Sequence, residues 1–140
     1  MDEQFYREQI LDHYSHPRNA ELLDPADARA VGKNPFCGDE MTVTLRLADG
    51  AVSAVGFKGR GCAISQAAAS MLSEEIVGMT AEEVAAYPRE EILGLLGITV
   101  NPSRLKCAVL GLGAVKHALH DAVGTPLAPE WAVIDGIEWQ

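Results

Sequence analysis

The sequence predicts an α+β fold: a small antiparallel sheet of about three strands with helices packed on one face. Three observations carry that expectation. Residues 41–57 alternate with period two around an Asp49-Gly50 turn. Helix-period stretches stand on either side of that hairpin, one before it and several after it. The chain is 140 residues long and 48% hydrophobic, with no repeat or linker, which fits one domain over 1–140.

Taken in order, residues 2–14 set Phe5, Ile10, Leu11 and Tyr14 on one helical stripe with charges elsewhere, and His16-Pro17 stops the helix. Residues 17–30 read as a loop that ends in a short edge strand near 28–31. Met41, Val43, Leu45 and Leu47 then alternate with Thr42, Thr44 and Arg46, the mark of a half-buried strand. Asp49-Gly50 is a two-residue hairpin turn. In the return strand, 51–57, Val52, Ala54, Gly56 and Lys58 oppose Ala51, Ser53, Val55 and Phe57. A helix over 65–77 ends at Gly78. Thr80 and Glu83 form a capping box for the next helix, which stops before Pro88, and a short helix follows over 89–96. Ser103 is the expected cap of the last helix, 104–123, whose stripe is Leu105, Ala108, Val109, Leu112, Val115 and Leu119 and which Gly124 ends. The tail, 125–140, is assigned no regular structure despite Trp131 and Trp139.

The net charge of -9 argues against nucleic acid as a partner, because phosphate binding needs a basic face. The longest apolar run is far short of a membrane span. The start, MDEQFYREQI, has neither the basic opening nor the apolar stretch of a secretory signal, so a cytoplasmic protein is expected. Three cysteines, an odd number spaced 25 and 45 positions apart, do not make a secreted disulfide framework. Free thiols in a reducing compartment fit better.

Cys37 and Asp39 flank Gly38 in NPFCGDE, just before the hairpin. In extended backbone, residues two apart point to the same side. Cys62, in GRGCAIS, stands where the return strand hands over to a helix, and the entry and exit of a hairpin are neighbours in space. Cys107 falls in the first turn or so of the last helix, where a helix N-terminus favours a thiolate. Three thiolates and a carboxylate suit tetrahedral zinc and equally an iron–sulfur cluster. Five of the eleven basic residues lie within four positions of a cysteine: Lys33, Lys58, Arg60, Arg104 and Lys106. Three thiolates, a carboxylate and a divalent ion leave a surplus of negative charge. A ring of cations would offset it and attract persulfide, sulfide or an acidic partner surface.

The plainer readings stand beside this one. A cysteine is most often a small buried apolar residue, Asp39 serves as well to end a turn, and the cations serve as strand-edge charges. With no CxxC pair, spacing alone leaves both readings open. His13, His16, His117 and His120 are further candidate ligands, although His117 and His120, one helical turn apart, read more simply as a solvated helix surface.

The motifs NPFCGDE, GRGCAIS and SRLKCAVL, with the opening YREQILDHYSHPRN, resemble the three cysteine motifs and first helix of the SufU/IscU-type iron–sulfur assembly proteins, the NifU N-terminal family. The resemblance runs over about 5–122. It implies that Cys37, Asp39, Cys62 and Cys107 are the metal or cluster ligands. Lys106 before Cys107 resembles the SufU branch, where the IscU branch has histidine, whereas the short spacing from Cys62 to Cys107 resembles IscU. The SufU-like implication is a zinc-bound sulfur acceptor, supplied by a pyridoxal-phosphate cysteine desulfurase and serving downstream scaffold or acceptor proteins. The IscU-like implication is a scaffold on which a [2Fe–2S] cluster is built and handed over. Lys106-Cys107, with no histidine beside the cysteine, favours zinc in the resting protein. Cys37, in its Pro-Phe-Cys-Gly loop, is the expected sulfur acceptor because a loop ligand leaves a metal most cheaply. Two rivals remain. A purely structural zinc domain calls for a closed site, against which Asp39 argues. A cysteine hydrolase needs a histidine base beside its thiol, and no histidine is near a cysteine in sequence.

Overall fold

A computed structural model describes residues 3–35 and 38–140. Helix α1 spans Glu3–Ser15, followed by strands β1 (Ala28–Asn34), β2 (Asp39–Ala48) and β3 (Ala51–Arg60). Helices α2 (Ala63–Ile76), α3 (Ala81–Ala85), α4 (Arg89–Leu96) and α5 (Leu105–Val123) follow, then α6 (Pro129–Ala132) and strand β4 (Glu138–Trp139). The sheet is antiparallel, in the order β3-β2-β1-β4. The α+β class holds, with four strands rather than about three.

The β2–β3 hairpin turns at Asp49 (φ 53°) and Gly50 (φ 78°), both left-handed as a type I′ turn requires. Met41, Val43 and Leu45 face the core as the alternation predicts. The return strand differs. Arg46 pairs with Ala54 and Leu47 with Val52, which leaves Ser53 as the extra residue of a bulge. The bulge moves the strand out of phase, so Val52, Val55 and Phe57 are all buried although strict alternation opposes the first to the other two.

Three elements depart from expectation for reasons the local pattern does not carry. β1 is an inner strand and longer than predicted, because the tail supplies β4: Val31 and Gln140 exchange backbone hydrogen bonds of 2.7 and 2.8 Å. On α1, Ile10 and His13 are the buried residues, whereas Leu11 is 58% exposed and Phe5 and Tyr14 are also exposed. The polar clasp selects that face, since His13 Nδ1 lies 2.7 Å from the Ser70 hydroxyl on α2. Ser103 does not cap α5: its hydroxyl donates to Asn101, within a 3-10 turn at Pro102–Arg104 that leads into the helix. The Thr80–Glu83 capping box and the left-handed Gly124 are as expected.

Helix α5 crosses one face of the sheet, with Leu110, Leu112, Val115 and Leu119 fully buried, and α2 packs beside it. The far side of the hairpin is covered by the chain before β1. Leu23 N–H donates to the Thr44 hydroxyl, which itself donates to the Gly56 carbonyl. Asn19 accepts from Phe57 N–H on the outer edge of β3, so that edge is not left open. The hairpin ends are thereby fixed at one end of the sheet, where the chemistry lies. No helix among the described residues is long and apolar enough to cross a membrane.

Candidate metal centre

Each element delivers one side chain to the same point. Asp39 opens β2, opposite Asn34 at the end of β1, after a turn in which Gly38 takes φ 77°. Cys62 is the N-cap residue of α2. Cys107 is the third residue of α5. Cys37 lies outside the described residues. The ligand atoms of Asp39, Cys62 and Cys107 all lie within 4.8 Å of one another. Asp39 is 4% exposed and Cys107 3% exposed. They line a cleft of about 510 Å³ with Gly38, Arg60, Gly61, Ser103 and Arg104.

The electrostatics divide the two described thiols. Burial opposes ionisation of Cys62 most strongly, but the backbone N–H groups of Ser65 and Ile64, with the Arg104 guanidinium, outweigh it and hold its pKa below the ordinary value. Cys107 goes the other way. Burial raises it first, then its hydrogen bond to the Asp39 carboxylate and the nearness of Cys62. Arg104 is raised in turn by its hydrogen bond to Cys62. Of the two described thiols, Cys62 is therefore the more readily ionised.

Two features fit a metal. Asp39 Oδ2 is buried with no hydrogen-bond partner among the described residues. Such an atom carries a desolvation penalty that a cation would relieve. The donors are two sulfurs and a carboxylate oxygen, a set for a thiophilic divalent ion. Ligand atoms around one tetrahedral zinc, each at about 2.3 Å from it for sulfur, stand about 3.8 Å apart. The observed cluster is of that scale.

The predicted ring of cations is split by the fold. Arg60 and Arg104 line the cleft. Lys33 pairs with Glu40 at 3.5 Å, and Arg60 approaches the same carboxylate at 3.9 Å. Lys58 lies in a groove with Leu22, Glu40 and Thr42. Lys106 lines a different cleft, with Arg89, Glu130 and Val133. None of the histidines joins the metal cluster among the described residues. His117 Nε2 lies 2.7 Å from the Trp131 carbonyl with its ring stacked on Trp139, and His120 Nδ1 lies 2.7 Å from the Thr125 carbonyl. They clasp the tail rather than merely facing solvent. Sequence reasoning passed over Gly61 and Ser65, whose signals were a glycine directly before a cysteine and a serine three residues after it.

Residues 5–126 match the family described as the NifU-like N terminal domain. The chain is 35% identical over 130 residues to a Thermotoga maritima protein described as the iron–sulfur cluster assembly scaffold protein IscU, covering 81% of this chain and 92% of that one. It is 33% identical over 132 residues to a Bacillus subtilis protein described as the zinc-dependent sulfurtransferase SufU, covering 81% and 88%. Among solved structures it is similar to a Fervidobacterium islandicum protein described as an iron–sulfur cluster assembly scaffold for the SUF system. There the TM-score is 0.68 and the identity 27%, over 85% of this chain and 99% of that one.

Proposed function

The chain belongs to the NifU-like N-terminal domain family, the iron–sulfur cluster assembly proteins among which IscU and SufU are counted, and on that premise we propose that it is a zinc-bound sulfur acceptor. It takes persulfide sulfur from a pyridoxal-phosphate cysteine desulfurase and passes it to downstream scaffold or acceptor proteins in the cytoplasm. The observation that carries this reading is an Asp39 carboxylate oxygen within 4.8 Å of two cysteine sulfurs, in a carboxylate whose Oδ2 is buried with no hydrogen-bond partner among the described residues. Cys37, Asp39, Cys62 and Cys107 would hold the ion. When bound, zinc keeps the thiols deprotonated and offsets their crowded charge.

Cys37 is the acceptor in this proposal. Cys107 is buried on α5, and Cys62 is half-buried at the start of α2. Both thiols are anchored to helices, which leaves Cys37 to meet an incoming persulfide. In the transfer, the Cys37 thiolate attacks the outer sulfur of the desulfurase's cysteine persulfide. The S–S bond breaks, the desulfurase cysteine departs as thiolate with the electron pair, and Cys37 becomes the persulfide. Arg60 and Arg104, lining the cleft, favour the anionic sulfur as it moves. After reaction with desulfurase and cysteine, peptide mass spectrometry should find added sulfur on the Cys37 peptide. Persulfide mainly on the Cys107 peptide refutes the assignment.

The cationic residues Lys58, Arg60, Arg104 and Lys106 have a second proposed role, attracting the desulfurase to an otherwise acidic protein. Reversing Arg60 and Lys106 together is expected to slow association and weaken its salt dependence, while bound metal stays near one per chain. Because Arg60 lines the cleft and Lys106 does not, Arg60→Glu alone should account for most of the effect. Unchanged association in the double variant rules the role out.

The scaffold reading, with a [2Fe–2S] cluster as cargo on the same residues, is favoured by the description of the Thermotoga relative.

A further inference from the structure

Glycine 61 stands at a position where its backbone does not call for glycine. Its φ lies outside the left-handed region, and the residue is exposed. What a side chain would meet there is the metal cluster. A Cβ built on Gly61 falls 2.7 Å from Asp39 Oδ1 and 3.0 Å from Asp39 Cγ, and it collides with the Ser65 hydroxyl. Real Cβ atoms do not come that close, so something has to move. The atoms in the way are the ends of two side chains, not backbone. Gly59, two residues earlier, is the opposite case: a Cβ there collides with the Glu40 carbonyl and meets Met41 Cα at 2.9 Å. Filling Gly59 would strain the hairpin, whereas filling Gly61 would turn Asp39 and Ser65.

The Ser65 hydroxyl donates to the Cys62 carbonyl at 3.0 Å, closing the first turn of α2 below the thiol. The added Cβ meets two atoms of Asp39, Oδ1 and Cγ, besides the Ser65 hydroxyl. Crowding from position 61 therefore reaches the carboxylate even where Ser65 yields.

We infer that Gly61 is a positioning residue for the metal: by leaving a slot between the Asp39 carboxylate and the Ser65 hydroxyl, it sets the rotamer in which Asp39 presents Oδ2 to the ion. The inference rests on the metal-holding role of Asp39 proposed above. It assigns the glycine before Cys62 a role in the ligand opposite it rather than in the turn.

The test compares Gly61→Ala, Asp39→Ala and the double variant of the full chain. Zinc alone is titrated against a chromophoric chelator, and cobalt(II) alone is used as a spectroscopic probe of the ligand set. Gly61→Ala should keep a metal-free melt close to that of the unaltered protein, since only side-chain ends shift. Its zinc affinity should fall roughly 10–100-fold, the usual cost of losing a group that orients a ligand. Its cobalt spectrum should match that of Asp39→Ala, and the double variant should bind zinc no more weakly than Asp39→Ala. If Gly61→Ala folds poorly, Gly61→Ala with Ser65→Ala removes the second obstruction while leaving the approach to Asp39, and the affinity loss should persist. Unchanged zinc affinity in Gly61→Ala, or losses that simply multiply in the double variant, overturns the inference while the metal-site reading stands. Unchanged affinity in Asp39→Ala overturns both.

Discussion

Replacing Cys107 with serine is expected to strip the protein of metal while leaving the domain folded. The thiol sits at the start of α5, 3% exposed, within 4.8 Å of the Cys62 and Asp39 ligand atoms. A hydroxyl fills nearly the same volume but is a far poorer ligand for a thiophilic ion. Structural zinc sites are worth about 10–16 kcal/mol over four ligands. One ligand then carries roughly 3 kcal/mol, on the order of a hundred-fold in affinity. The core that holds α5 to the sheet does not involve the metal: Leu110, Leu112, Val115 and Leu119 are fully buried. Metal-free protein, whether the Cys107→Ser variant or chelated wild type, should therefore still melt cooperatively, only lower. At a free zinc level of 100 times the dissociation constant the difference is about 2.7 kcal/mol. Loss of the transition on chelation would make the metal a folding requirement, as in a structural zinc domain.

Replacing Trp139 with alanine should be as costly to the fold as Cys107→Ser is to the site. The indole stacks on the His117 ring at a centroid separation of 4.3 Å. It also fills the space left open by two glycines: a Cβ on Gly32 would meet Trp139 at 2.7 Å, and one on Gly113 would collide with it. Neither glycine has a left-handed φ, so both are there for the close approach of the ring. Truncation leaves a void against backbone that cannot close in. The expected loss is roughly 2–4 kcal/mol, somewhat below that of a fully buried tryptophan, because Trp139 is half-buried. Thermal unfolding should show it as a fall on the order of 10 °C. Hydrogen exchange should show Val31 losing protection first, since its amide donates to the Gln140 carbonyl. A melt unchanged by Trp139→Ala would remove the tail from the account of the fold.

These two cases mark what was legible in the sequence. The hairpin, the capping box at Thr80 and the ends of α4 and α5 rest on interactions among near neighbours, and a local pattern carries them. The meeting of two candidate ligands was legible for a related reason. Asp39 and Cys62 flank one hairpin, so a pairing of the strands alone brings them together. The tail was not legible: β4 is two residues long, and its partner β1 lies over a hundred positions away. The ring-shaped gap over Gly32 and Gly113 helps to define it, and a glycine does not announce what will lie above it. The phase of β3 was lost to the bulge at Ser53. The α1 stripe held at Ile10 and failed at Phe5, Leu11 and Tyr14, and the other buried position, His13, is held by a polar clasp with Ser70. The cations were legible as a cluster in sequence but not in space. Lys106 precedes Cys107 by one position on a helix, which turns it about 100° away from the thiol.

Elemental analysis of protein purified without added metal, read together with its visible spectrum, tests the central claim most directly. The account predicts a colourless protein with one zinc per chain, falling well below one in Asp39→Ala, Cys62→Ser and Cys107→Ser. A brown protein carrying iron and sulfide in place of zinc, or one whose zinc survives all three substitutions, would contradict it.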